Sequence, residues 1–133
     1  MTRLLAPALL LASWALADGL PAFKPGEWSY QREVNGAPLV RRKCADPTAD
    51  LKRQHELLKR AGCAVTPLER AGPAYSFDAT CSVKTAQGEV KSTTTSTITV
   101  QSESAYTVEV HGTANGKKTD ETLTARRVGD CPK

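Results

Sequence analysis

Residues 75–84 (YSFDATCSVK) alternate apolar and polar side chains at every position, and this pattern constrains the fold more than any other segment. Side chains of a β-strand point alternately to its two faces, so the alternation predicts a strand with one buried face and one face in water. An antiparallel sheet that is covered on one side suits such a strand. We therefore expect the core to lie on one face of an antiparallel sheet.

Six other segments have the composition or the flanking turn signals of strands. Two Asn-Gly pairs, at 35–36 and 115–116, are typical of tight hairpin turns. One helix is expected over about 47–61, because Asp46 and Pro47 are typical of a helix N-terminus. The predicted strands cover residues 27–34, 38–43, 63–70, 75–84, 89–100, 104–112 and 118–127.

These elements predict a mainly β fold. The expected architecture is a curved antiparallel sheet or half-open barrel of about seven strands, with one α-helix inserted after the second strand. A flat sheet with the helix packed across one face is the competing arrangement. Pattern alone leaves this choice open, because register and shear decide whether a sheet closes.

Residues 1–17 have the features of a cleavable signal peptide. Arg3 precedes a short apolar run, and the tripeptide Ala-Leu-Ala at 15–17 fits the small-x-small pattern of a cleavage site. The run is too short to span a bilayer, and no other segment is apolar enough to be a transmembrane helix. No cysteine occupies the lipid-acceptor position, so we expect a periplasmic protein that is not a lipoprotein. Residues 18–133 then form a single β-rich domain.

The expected core is thin, and four cysteines are expected to compensate for it. Only 19 of the 116 residues after the signal are Leu, Val, Ile or Phe. An even number of cysteines in an exported chain favours two disulfides, with three pairings open. If the hairpin is centred on Gly72, Cys63 lies opposite Cys81, and Cys44 remains for Cys131. A one-residue shift of that turn would remove this pairing.

Aromatic residues give the first candidate site. Small hydroxylated residues at Ser92, Thr94 and Ser96 would lie midway along the inner face of a curved sheet, leaving a semi-polar cavity beneath the helix. Such a cavity would take a small amphipathic ligand. The residues expected to line it are Trp28, Tyr75, Phe77 and Tyr106.

Basic residues give the second candidate site. If Cys44 bonds to Cys131, the basic runs at 41–43 and 126–127 come close together. They would form a patch for an anionic envelope component, such as lipid headgroups or acidic polymers. An ordinary solvated sheet end is the alternative interpretation. The members of the patch are Arg41, Arg42, Lys43, Arg126 and Arg127.

Other function classes find little support in the sequence. Without the signal, 17 basic and 14 acidic residues leave a net charge of +3, too small to indicate a nucleic-acid partner. His55 lies 11 and 8 residues from its neighbouring cysteines, which resembles no zinc-knuckle spacing. Nucleophile motifs and carboxylate clusters are also missing from the sequence. We therefore expect no catalytic residues, no metal and no cofactor.

Two short segments resemble a known family. Residues 24–28 (KPGEW) open the first strand and residues 126–131 (RRVGDC) close the last. Between them lie a cysteine before a proline-started helix and two more cysteines that flank a hairpin. This order resembles the exported bacterial proteins of domain of unknown function family 3617, over about residues 22–131. Relatives carry Met- and Gly-rich later strands, where residues 92–100 here are rich in Thr and Ser.

The resemblance implies a periplasmic location and a β-rich fold, and it implies no established activity. Taken with the residues themselves, it leads us to expect a non-enzymatic periplasmic binding or carrier module for a small amphipathic ligand. The alternative is a structural or interaction protein of the cell envelope that uses the basic patch or an exposed sheet edge. A cavity lined by the four aromatic residues would favour the first interpretation, and a solid core the second.

Overall fold

The computed structural model describes residues 19–133, which form one open antiparallel sheet and one helix. The predicted signal peptide, residues 1–17, lies outside the described residues. Within the described part of the chain, no helix is long and apolar enough to cross a membrane. In chain order the elements are β1 (Gly26–Val34), β2 (Ala37–Ala45), α1 (Pro47–Arg60), β3 (Ala64–Val65), β4 (Glu69–Ala71), β5 (Ala74–Thr85), β6 (Gly88–Ser102), β7 (Ala105–Ala114) and β8 (Lys117–Gly129).

The strand order across the sheet is β2-β1-β8-β7-β6-β5-β3, and β4 also pairs with β5. Both predicted Asn-Gly turns form, with Asn35 and Asn115 at a φ of 50°, a conformation that asparagine tolerates well. Because β1 pairs with β8, the first and last strands of the described chain lie side by side. The helix then connects β2 at one edge of the sheet to β3 at the other. The predicted mainly β fold, with an unclosed antiparallel sheet and one helix, is confirmed.

The predicted third strand, over 63–70, is divided into β3 and β4, so the described sheet has eight strands where seven were expected. In β4, Glu69 pairs with Ser76, whereas in β3 Ala64 pairs with Thr80, which is one residue out of the β4 register. Pro67 lies between the two short strands and has no N–H to donate to a ladder. The proline therefore accounts for the interruption.

This register shift decides the disulfide pairing. The hairpin turn is centred between Gly72 and Pro73 and not on Gly72 as expected. Continuing the β4 register would have placed Cys63 opposite Ser82, but the shift before β3 restores the alignment with Cys81. Cys63 and Cys81 are bonded with their Cα atoms 4.2 Å apart. The other bond joins Cys44 and Cys131, whose Cα atoms are 5.6 Å apart. Both predicted disulfides are therefore present.

The core consists mainly of aromatic side chains on one face of the sheet, which we call the inner face. Trp28 is fully buried, and its indole N–H donates to the carbonyl of Lys24 at 3.0 Å. Phe23, just before β1, stacks on Tyr106 with ring centroids 4.4 Å apart and meets Trp28 edge-on. Burial of three large aromatic side chains stabilises this end of the sheet more than its few aliphatic residues can. The remaining buried members of this cluster are Tyr75, Ile98 and Ala125.

The helix begins as the sequence predicts and lies over the inner face. Asp46 caps it by accepting a hydrogen bond from the Ala49 N–H at 3.3 Å, and Pro47 occupies the first turn. The Thr48 hydroxyl accepts from the Phe23 N–H and donates to the Pro21 carbonyl, which ties the segment before β1 to the start of the helix. Further along, Leu51 packs against the aromatic core. The rest of the helix covers one side of a cleft.

Candidate ligand-binding cleft

A cleft of about 630 Å³ lies between the helix and the inner face of β1, β2, β7 and β8. Volumes of this size are typical of small-molecule sites. Its apolar walls come from the helix and from three strands, and two of these side chains are unusually exposed: Leu39 by 64% and Leu57 by 53%. The apolar residues that line the cleft are Leu39, Leu51, Leu57, Val108, Val110 and Leu123.

The alternation of side chains along neighbouring strands explains why these residues meet. Tyr30 of β1 pairs with Arg41 of β2, and Arg32 pairs with Leu39, so all four side chains share the inner face. On the other side of β1, Arg32 pairs with Leu123 of β8. The cleft therefore combines a row of apolar side chains in the middle of the sheet with cationic side chains toward the β2 edge.

The charges of the cleft divide into paired and unpaired groups. Arg32 forms an ion pair with Glu121, and Arg53 forms one with Asp50 at 2.6 Å between Nη2 and Oδ1. No carboxylate of residues 19–133 pairs with Arg41, the fifth charged residue at this site. The charges of these two ion pairs cancel, and the positive charge of Arg41 remains at the β2 edge of the cleft.

Lys43 is the second cation at that edge. It lies two residues beyond Arg41 on the same strand and face, and no carboxylate in the described part of the chain pairs with it. Its ammonium lies 5.5 Å from the centroid of the Tyr30 ring, within the range of a cation–π contact. The tyrosine ring therefore positions a lysine whose charge remains available to an anion.

Two tyrosine hydroxyls form the polar inner end of the cleft. The Tyr106 hydroxyl lies beside that of Tyr30 and interacts with it. Burial, together with the neighbouring Tyr30, raises the pKa of Tyr106 well above its ordinary value, and burial also raises the pKa of Tyr30. Both hydroxyls therefore stay neutral over the physiological pH range, so they offer hydrogen bonds without a negative charge.

A smaller chamber of about 130 Å³ adjoins the cleft beneath the helix. The two cavities share Leu51 and Gln54 from the helix and Val108 and Val110 from β7. The chamber continues toward β6 and β5, where its lining is mostly apolar. Its further lining residues are Leu20, His55, Leu58, Phe77, Ser96 and Ile98.

His55 is the one titratable side chain in this smaller chamber. Its ring meets Phe77 edge-on with centroids 5.0 Å apart, and its Nε2 is buried without a hydrogen-bond partner among the described residues. Burial and the nearby Lys59 lower the pKa of His55, so the imidazole is neutral at neutral pH. The chamber therefore carries no charge there.

The two segments that resemble a known family meet where the start of β1 lies beside the end of β8. The Arg127 guanidinium donates from Nε to the Pro25 carbonyl at 3.0 Å and also pairs with Asp130. A side chain at Gly26 would place its Cβ 2.5 Å from the backbone carbonyl oxygen of Gly129 and 2.5 Å from Arg127 Nε, so only glycine fits there. We call this arrangement the Arg127 clasp. The clasp joins the segment before β1 to the end of β8, and the Cys44–Cys131 bond joins the end of β2 to the C-terminal segment.

Comparison with known proteins identifies the family of this chain. Residues 23–131 match the family described as Protein of unknown function (DUF3617). The chain belongs to this family. No curated protein and no solved structure matches it. In this DUF3617 protein the two short sequence segments carry a structural role, because they contact each other and none of their residues lines the cleft.

The structure places the four predicted cavity residues in different surroundings. Tyr106 lines the cleft and Phe77 lines the smaller chamber. Trp28 and Tyr75 line neither, because both are packed into the buried core. Phe23, which the alternation of strands does not reveal because it precedes β1, fills the space beside Trp28.

The predicted hydroxylated lining is present only in part. Ser96 lines the smaller chamber, whereas Ser92 and Thr94 line neither cavity. All three lie on the inner face, as expected from their register with Cys81, Ala79 and β7. The side chains of Ser92 and Thr94 are both half-buried.

The predicted basic patch is divided between the two faces of the sheet. Arg41 and Lys43 lie on the inner face. Arg42 and Arg126 both neighbour Ser29 in register and therefore lie on the outer face. The fifth member, Arg127, belongs to the clasp. The five side chains thus do not form one surface, because consecutive strand residues point in opposite directions.

Proposed function

We propose that the protein is a non-enzymatic, periplasmic binding or carrier protein that holds a small amphipathic ligand in the cleft. One observation carries the proposal: apolar Leu39 and Leu57 remain largely exposed where they line a cleft of about 630 Å³. Clustered apolar side chains in contact with water cost stability unless something covers them. A ligand with an apolar part would cover them.

The polar groups of the cleft suit binding better than catalysis. Its two carboxylates, Asp50 and Glu121, are both paired with arginines. The two tyrosine hydroxyls keep their protons, as described above. Among the described residues that line the main cleft there is no serine, cysteine or histidine. The lining thus provides charge, hydrogen-bond donors and apolar surface, which together hold and orient a ligand.

A periplasmic location is supported by the two disulfides. Disulfides persist in oxidising compartments and are rare in the cytosol. With the predicted signal peptide at 1–17, they support export. The alternative function, an envelope interaction protein, retains Arg42 and Arg126 as the outer-face part of the divided patch.

The test begins with protein purified from the periplasm. Native mass spectrometry should show an additional mass that is lost on denaturation. An environment-sensitive apolar fluorophore should then bind to protein freed of that ligand, with a rise in emission. No additional mass and no fluorophore binding together would overturn the proposal.

Leu39 and Val40 provide a matched pair of variants. They are adjacent on β2 and almost equally exposed, by 64% and 63%, but only Leu39 lies on the inner face and lines the cleft. Leu39→Ser should weaken fluorophore binding about threefold to tenfold, as expected for removing one partly buried aliphatic contact. Val40→Ser should leave binding unchanged. Equal effects of the two changes would contradict a site in the cleft.

A further inference from the structure

The charge pattern narrows the ligand to one chemical class. We propose that the ligand is a single-chain anionic amphiphile, with its acidic head against Arg41 and Lys43 and its apolar chain beneath the helix, directed toward Phe77. This inference rests on the proposed function of the cleft, and its test separates the two.

The head position follows from the two unpaired cations. Arg41 and Lys43 are two positions apart on one strand face, which separates their Cα atoms by about 7 Å. One carboxylate, sulfate or phosphate lying between them could contact both. The ion pairs of Arg32 and Arg53 remove those two guanidiniums as competing head sites. An anionic head therefore has one favoured position, at the β2 edge of the cleft.

The tail position follows from the continuous apolar path away from that edge. Beyond Tyr30, the inner face presents Leu123 on β8 and then Val108 on β7. Val108 also lines the smaller chamber, where Ile98 and Phe77 follow on β6 and β5. From β2 to β5 the path crosses five strand spacings, or about 24 Å. An extended chain fits this path.

The dimensions of the path exclude bulkier tails. The chamber beyond β7 is only about 130 Å³, whereas the cleft before it is about 630 Å³. One acyl or alkyl chain can enter the chamber, but two chains side by side or a fused ring system would exceed it. His55 and Gln54 add no charge to the path. The structure thus favours one flexible chain with a compact acidic head.

Three probes with the same twelve-carbon chain test the head assignment by isothermal titration calorimetry, each below its micelle-forming concentration. They are dodecanoate, dodecyl maltoside and dodecyltrimethylammonium. Dodecanoate should bind about tenfold more tightly than the cationic probe, because two cations attract one and repel the other. Equal binding of all three would overturn the head assignment and leave the cleft proposal standing. Binding of none would overturn both.

Variants of two neighbouring arginines distinguish a specific contact with the ligand head from general electrostatic attraction. Arg41→Gln should weaken dodecanoate binding about fivefold and leave dodecyl maltoside unaffected. Arg42→Gln removes the same charge from the outer face of the same strand and should change neither value. If Arg42→Gln weakens dodecanoate as much as Arg41→Gln does, the anion binds outside the cleft and the inference is wrong.

A chain-length comparison tests the tail assignment. Ser96→Leu fills the smaller chamber, and it should weaken hexadecanoate binding about tenfold while octanoate binding is retained. Retained octanoate binding also shows that the variant is folded. Thr97→Leu introduces the same leucine side chain on the outer face and should leave the binding of both ligands unaffected. Undiminished hexadecanoate binding by Ser96→Leu would contradict a tail in the chamber.

Discussion

The two disulfides should contribute unequally to stability, because they close loops of very different length. The Cys44–Cys131 bond joins residues 87 positions apart, whereas the Cys63–Cys81 bond joins residues 18 positions apart. In the chain-entropy model, a cross-link restricts the unfolded chain more when its loop is longer. Replacing one pair of cysteines by serines at a time tests this expectation directly.

The expected magnitudes follow from these separations. The chain-entropy relation assigns about 4.6 kcal/mol to the longer loop and about 3.2 kcal/mol to the shorter one at room temperature. For a domain of this size, 1 kcal/mol corresponds to about 4 °C in melting temperature. The Cys44→Ser, Cys131→Ser protein should therefore melt about 18 °C below the parent protein. The Cys63→Ser, Cys81→Ser protein should melt about 13 °C below it.

Thermal unfolding followed by circular dichroism, with reversibility checked on cooling, gives both melting temperatures. The parent protein in a reducing agent serves as a control, and it should melt below either double variant. The reasoning would be refuted if loss of Cys63–Cys81 lowered the melting temperature more. Cys63 and Cys81 are half-buried, whereas Cys44 and Cys131 are exposed. That result would mean that packing around the shorter bond outweighs loop entropy.

Three further predictions concern the clasp, the outer face and the cleft. Arg127→Met should lower the free energy of unfolding in urea by about 2 kcal/mol, because it leaves the Pro25 carbonyl without its donor. His111 and Asp120 are hydrogen-bonded, which raises the pKa of His111 and lowers that of Asp120. This hydrogen bond therefore stabilises the folded protein at about pH 5.5, and the stabilisation is lost as the pH rises through the raised pKa of His111. His111→Gln should accordingly lower the free energy of unfolding at about pH 5.5 and leave it unchanged at about pH 8.5. Val110→Phe should add about 1 kcal/mol of apolar burial, which would raise the melting temperature by about 4 °C, and it should weaken fluorophore binding.

Local pattern was sufficient to predict the elements of this fold. The alternation over 75–84 lies within β5, and each Asn-Gly pair forms the turn of a hairpin. The cap at Asp46 begins the helix as expected. These features depend on residues within a few positions of each other, so their physical causes are visible in the sequence. The disulfide pairing was also predicted. It forms because the displaced centre of the hairpin turn is offset by the one-residue register shift between β4 and β3.

The cleft could not be predicted in the same way, because its lining comes from strands that are distant in sequence. Pairing of β1 with β8 brings Arg32 beside Leu123, and nothing local to either residue indicates this contact. β2 is an exposed edge strand, so its residues show no clear alternation that would assign Leu39 and Arg41 to one face. Aromatic character alone was a poor guide, since Trp28 packs into the core.

The open cleft is hard to explain by stability alone. Among the described residues only eight hydrophobic side chains are buried, so larger side chains in the cleft would add to a thin core. The Cys44–Cys131 bond and the Arg127 clasp stabilise the sheet through side chains that do not line the cleft. The proposed ligand would cover Leu39 and Leu57, and it would account for a cleft that packing would otherwise fill.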